Sequence, residues 1–175
     1  MRSIRIQKAE KNKKQGNRGW IYLLAFLFPV LIFTLGFALK DVYPFGENSA
    51  LVVDGVHQYT AFYRELSEQL GKGTDWIWSA HAMGYNFYGL FCYYLCSPFS
   101  FLVLLFMKFM YVNEAVTAVI LIKAGLCSVS MAWYSGKKYP CRGSMAVSLG
   151  CMYALSDFLI GYYSNVMWLD CIMFL

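Results

Sequence analysis

The sequence predicts an all-α protein that crosses a lipid bilayer several times. Three observations carry that prediction. First, 59% of the 175 residues are hydrophobic, only 14% are charged, and the mean hydropathy is +0.45. Soluble domains sit near a quarter charged. Second, the apolar residues fall in uncharged or nearly uncharged runs long enough for a membrane helix. Third, aromatic residues make up 19% of the chain and crowd the borders of those runs, as at headgroup level in membrane proteins. The net charge of +5 is concentrated at one end, where Arg2, Arg5, Lys8, Lys11, Lys13, Lys14 and Arg18 face the single acid Glu10. A basic stretch abutting a span marks the cytoplasmic side of the membrane, which is preferred here over nucleic-acid binding.

The elements follow in order. Residues 1–18 form the basic cytoplasmic tail. Residues 19–39, "GWIYLLAFLFPVLIFTLGFAL", form the first span, with Pro29 as an expected kink. The run exceeds the ordinary h-region of a signal peptide, so it reads as a retained helix. Residues 40–112 form a long extracytoplasmic loop. In it, "DVYPFGENS" is punctuated by Pro44, Gly46 and Asn48. From Tyr59 to Leu70, Phe62, Leu66 and Leu70 recur every four residues while Arg64, Glu65 and Glu68 face elsewhere. That pattern predicts an amphipathic helix lying on the membrane surface and ended by Gly71 and Gly73. "WIWSAHAMGYNFYG" then supplies Trp76, Trp78, Tyr85, Phe87 and Tyr88 to an interfacial belt.

Leu90–Met107 is nearly long enough to span, but Ser97-Pro98 breaks it. If it crossed, the basic loop at residues 135–143, with Lys137, Lys138 and Arg142, would lie outside, against the positive-inside rule. A re-entrant hairpin bent at Pro98 puts that loop inside. The expected topology is therefore three spans, at residues 19–39, 113–134 and 144–163, plus the hairpin. Residues 164–175 read as an outer loop and the start of another span. That last apolar run stops after about five residues where a span needs about 20, so the chain reads as the N-terminal portion of something longer. The six cysteines mostly lie in apolar stretches and behave as small hydrophobes.

Asp54 is the sharpest candidate for chemistry. It follows the apolar "ALVV", precedes Gly55, and has His57, Gln58 and Tyr59 within about a turn. An aspartate just outside the bilayer serves as a general base, holds a divalent cation, or simply caps the helix that follows. Arg64 is placed to meet a phosphate. Lys123, in mid-span, marks a functional or paired site by default, and Asp157 is its obvious opposite charge. Asp170 would return near the same surface as Asp54. Walker, dinucleotide-binding, zinc and nucleophile-elbow motifs are absent from the sequence.

"YPFG" at 43–46, "VVDGVHQY" at 52–59, "MGYNFYG" at 83–89, "YYLCSPFSFLVLLF" at 93–106, "LIKAG" at 121–125 and "NVMWLD" at 165–170 occur in that order. Together they resemble the N-terminal region of the YfhO family of bacterial membrane proteins. That family is similar to the GT-C class of polytopic glycosyltransferases. The resemblance implies transfer of a sugar from a polyprenyl-phosphate carrier to an envelope polymer such as teichoic acid, on the outer face of the plasma membrane of Gram-positive bacteria. It implies catalytic roles for Asp54 and Asp170; beside them, His57, Gln58, Tyr59, Arg64 and Lys123 are the candidate substrate contacts read from the residues themselves. A divalent cation, held by Asp54, is the one cofactor to consider. The expected partners are the bilayer, the lipid-linked donor and the polymer acceptor, with no nucleic acid. The rival readings are a non-catalytic scaffold or flippase-type subunit, and a transporter built around Lys123 and the Pro98 break.

Overall fold

The computed structural model describes residues 19–73, 84–139 and 143–175. The basic tail, Trp76, Trp78, Cys141 and Arg142 lie outside the described residues. Those described form helices and connecting turns with no β-sheet; one isolated bridge joins Val42 to Asn48.

Helix α1 (Gly19–Leu39) runs through Pro29, which is buried. It is one of two helices long and apolar enough to cross a membrane, the other being α5 (Val112–Lys138). Only 17% of α1's most apolar stretch is buried, against 56% for α5, so α1 is peripheral and α5 central. Leu23, Leu31 and Leu35 of α1 are exposed apolar side chains that a bilayer would cover.

The two helices pack through small residues. A Cβ built on Gly125 of α5 would come within 2.6 Å of the Phe26 ring of α1. Toward the far end of α1, Thr34 and Phe37 share a cavity with Asn113, Thr117 and Leu121 of α5. Rising numbers on one helix therefore meet falling numbers on the other, and α1 and α5 run antiparallel. Helix α6 (Gly143–Ala154) returns along α5, its Gly150 set against the Ser128 backbone, where an added Cβ would lie 2.5 Å from the carbonyl oxygen. Close approach at small residues is how helices associate where lipid removes the hydrophobic drive.

The run expected to form one helix over residues 144–163 is divided. Helix α6 ends at Ala154, Ser156 adopts an extended conformation, and α7 (Asp157–Tyr162) starts anew. Asp157 sits in the first turn of α7, where a carboxylate suits the helix dipole. Twelve residues of α6 reach about 18 Å, short of the hydrocarbon core, so any crossing here needs both pieces.

Between α1 and α5, a π-helical turn (Gly55–Tyr59) leads into α2 (Thr60–Lys72). Gly73 ends α2 in the left-handed conformation (φ 60°), its N–H donating to the Gln69 carbonyl. Helix α3 (Phe87–Leu90) continues as a second π-helical turn (Phe91–Leu95), and α4 (Pro98–Phe106) follows after a bend of 98°. Pro98 at the first helical position and Ser97, whose hydroxyl accepts from Phe99 N–H, account for the restart. Finally α8 (Val166–Phe174) descends parallel to α5: Val166 lies opposite Lys123, and Leu169 opposite Cys127.

Much of the apolar stripe of α2 is covered by the protein itself. Tyr59, Tyr63 and Leu66 are at most 1% exposed and belong to the main core, whereas Leu70 is 48% exposed. Glu65 and Gln69, expected to face outward or unassigned, are buried. The helix packs one side on α4, α5 and the second π-helical turn. Periodicity located an apolar stripe but not the protein surface that would claim it.

Candidate functional site

Val53 has φ 45°, in the left-handed region. For a β-branched residue this is an outlier, costing of order 1–3 kcal/mol. The distortion lets the Val53 carbonyl accept from the N–H groups of both Val56 (3.2 Å) and His57 (3.0 Å), while Gly55 N–H reaches the Val52 carbonyl at 2.9 Å. These are the N–H groups that open a helix and ordinarily need a side-chain cap. The carboxylate of Asp54 caps none of them. It accepts a hydrogen bond from Gln58 Nε2 at 3.2 Å instead. The group is half-buried, preceded by exposed Val52 and Val53 and close enough to Tyr59 and Tyr94, of the two π-helical turns, to interact with them electrostatically.

The turn is held against distant chain. Ser164 Oγ accepts from Val52 N–H at 3.4 Å, Tyr163 OH donates to the Ala50 carbonyl, and Tyr59 OH accepts from Met167 N–H at 3.3 Å. Gly55 allows this approach: a Cβ there would sit 3.1 Å from Leu51 and 3.4 Å from Ser164. One turn on, Ser100 Oγ donates to the Leu95 carbonyl at 2.7 Å, leaving Tyr63 OH, 3.3 Å away, to donate to Ser100. Burial pushes the Tyr59 phenol well above its usual range and that of Tyr63 up to about 12. Both keep their protons at neutral pH and act as hydrogen-bonding groups, not bases.

The sequence-predicted residues separate into two sets. His57 and Arg64 are exposed, and Asp54 takes Gln58 rather than His57 as its partner. Lys123 is 1% exposed, and its ammonium forms an ion pair with Asp170 at 2.8 Å. The pairing expected with Asp157 is not formed, because the break after Ala154 carries that residue to an exposed helix start while α8 lies beside α5. Asp170 stands within α8 rather than in an outer loop. Asp54 lies in the turn before α2, whereas Asp170 pairs with Lys123 near the middle of α5; the hydrogen bond from Met167 N–H to Tyr59 OH joins the two regions. Val53, Tyr63, Ser100, Tyr163 and Ser164 carry no local signal in sequence; Ser164 and Val52 are 112 positions apart.

Among the described residues no three His, Cys, Asp or Glu side chains gather as a metal would require. Asp54 offers one carboxylate and an amide neighbour, which does not make a cage for a hard cation that takes six or more oxygens. A cavity of 770 Å³ opens beside the turn, lined by residues 42–45 and 47–50, the ends of α1 and α5, and Phe109–Tyr111. A second, of 1040 Å³, lies between α1, α5, α6 and the end of α8. None of the predicted site residues lines either.

Long apolar helices packed antiparallel, a bent helix pair between them and a polar turn at one end define a polytopic α-helical membrane protein. The family described as bacterial membrane protein YfhO matches residues 25–175, and the chain belongs to that family. No curated protein and no solved structure matches it.

Proposed function

We propose that this protein is a GT-C-type membrane glycosyltransferase that moves a sugar from a polyprenyl-phosphate carrier to an envelope polymer of the teichoic-acid kind on the outer face of the plasma membrane. The observation that carries the reading is the state of Asp54. Strain at Val53 supplies the helix start with carbonyl acceptors, so the carboxylate is spared for chemistry. It stands beside exposed valines where a lipid-borne substrate would arrive. Asp54 takes the proton of the acceptor hydroxyl while that oxygen bonds to the anomeric carbon. The bond from that carbon to the carrier phosphate oxygen breaks, and the phosphate leaves with the electron pair. Exposed His57, within a turn of Asp54, is the candidate for the carrier phosphate, and exposed Arg64 stands about 15 Å further along the helix. The transporter reading needs Lys123 on an open path, and its pairing with Asp170 weighs against that.

Antiparallel α1 and α5 support the expected sidedness. If both helices cross, an even number of crossings lies between them, which favours reading the pair bent by 98° as a re-entrant hairpin. Gly143 packs on Ile21 at the start of α1, which supports a reading in which the chain after α5 returns to the tail's side of the membrane, and the positive-inside rule makes that side cytoplasmic in this proposal.

The test is Asp54→Asn in the intact protein in cells, read as sugar on the purified wall polymer. Asparagine preserves shape and can still accept from Gln58, but it cannot take a proton at neutral pH. A general base contributes about 10²–10⁴-fold, so glycosylation falls to background at unchanged protein level. Normal glycosylation in Asp54→Asn would falsify the assignment.

A further inference from the structure

Lys123 lies inside the main core, where a charge is tolerated only when closely compensated. Its ammonium donates to the Val166 carbonyl at 3.0 Å, pairs with Asp170 at 2.8 Å, and lies 5.2 Å from the centre of the Phe99 ring. The Val166 carbonyl belongs to the same peptide plane as Met167 N–H, which donates to Tyr59 OH. A peptide plane is rigid, so fixing its oxygen fixes the direction of its N–H. Lys123 on one edge and Tyr59 on the other therefore grip a single plane. Just before it, Ser164 and Tyr163 bind Val52 and Ala50. Residues 163–167 are thus a strap fastened to α5 by Lys123 and to both flanks of Asp54 by three hydrogen bonds.

We propose that Lys123 and Asp170 are positioning residues: through the Val166–Met167 peptide and the strap they hold the strained Asp54 turn in its working geometry. This rests on Asp54 being the base. Lys123 anchors the peptide oxygen, and Asp170 neutralises and aims Lys123. Neither touches the sugar or the carrier.

The experiment uses the intact protein with Lys123→Met and Asp170→Leu combined. Removing both charges together avoids the orphaned ion that makes single removals unfold proteins, and such replacements are often neutral for stability. Two readouts are taken. Ala50→Cys, at a site 5% exposed, is introduced with and without the pair replacement, and its labelling by N-ethylmaleimide in isolated membranes is followed by mass spectrometry on the peptide carrying position 50. Wall-polymer sugar is measured in the same strains without the cysteine. The expected result is faster labelling at position 50 by about tenfold, with glycosylation reduced by about 10²-fold at normal protein level, since a small misplacement of a catalytic group costs that much. Unchanged labelling overturns the strap, and unchanged glycosylation overturns the positioning role. If the double variant does not accumulate, Tyr59→Phe removes one oxygen from the same link and is judged on the same two readouts. Asp54→Asn runs alongside. Full glycosylation there fails the transfer reading whatever position 50 does, whereas loss there with full glycosylation in the double variant fails the positioning proposal alone.

Discussion

The two ends of the molecule are held together by different forces. At the end where α1 starts, helices meet at glycines: Gly143 on Ile21, Gly125 on Phe26 and Gly150 on the Ser128 backbone. Contact there is van der Waals packing between helices whose backbone groups are already satisfied. At the other end, where Asp54 lies, segments more than 100 positions apart are joined by side-chain hydroxyls and one peptide plane. The first arrangement tolerates no added volume but asks little of direction. The second is directional and places a carboxylate, at the expense of a strained Val53. A site that must hold one geometry is better served by hydrogen bonds than by apolar packing, which fixes distance more than angle.

The broadest test asks whether the ends face opposite sides of a membrane. Cysteines at Phe109 or Tyr111, both 81% exposed, should react with an impermeant reagent on intact cells, and a cysteine at Lys137 only after permeabilisation. Labelling at Lys137 in intact cells would put both ends' loops on one side and end the comparison.

Gly150→Leu should be the most damaging packing change, because backbone stands where its Cβ must go. Overpacking costs about 1–3 kcal/mol where side chains can yield and more where they cannot. Protein level and detergent-extracted melting temperature should both collapse, whereas Asp54→Asn should leave both unchanged. Equal melting of the two would erase the distinction between packing end and site end.

Leu66→Asp and Leu70→Asp sharpen the place of α2 between those regions. Leu66 is 1% exposed and Leu70 48%, so only the first buries a charge, at a cost of several kcal/mol before relaxation. Accumulation should drop for Leu66→Asp and stay normal for Leu70→Asp. A helix merely floating on lipid would respond similarly to both.

Smallest in stability, Tyr163→Phe removes the hydroxyl that reaches Ala50 and should cost about 0.5–1.5 kcal/mol in a denaturation midpoint. Its effect on glycosylation should nevertheless exceed that of Cys127→Ala, which removes a long 3.7 Å thiol contact to α8 deeper in the bundle. The reverse order would show that directional bonds near Asp54 do no more than weak ones elsewhere.

Sequence by itself determined the membrane class, the limits of α1, the break at Pro98 and the end of α2 near Gly73. Each is set by local chemistry: the length of an apolar run, a residue lacking an N–H, a residue free to take positive φ. Asp54 stood out as a candidate, because an acid between an apolar lead-in and a helix start is conspicuous locally. Only the tertiary structure decided that Asp54 is relieved of capping, since that depends on the φ of a valine with no sequence mark. It likewise decided that Lys123 takes Asp170 over Asp157, which is nearer in sequence. A buried ammonium pairs with whichever carboxylate the packing brings within 3 Å, and α8 lies beside α5 while the start of α7 does not.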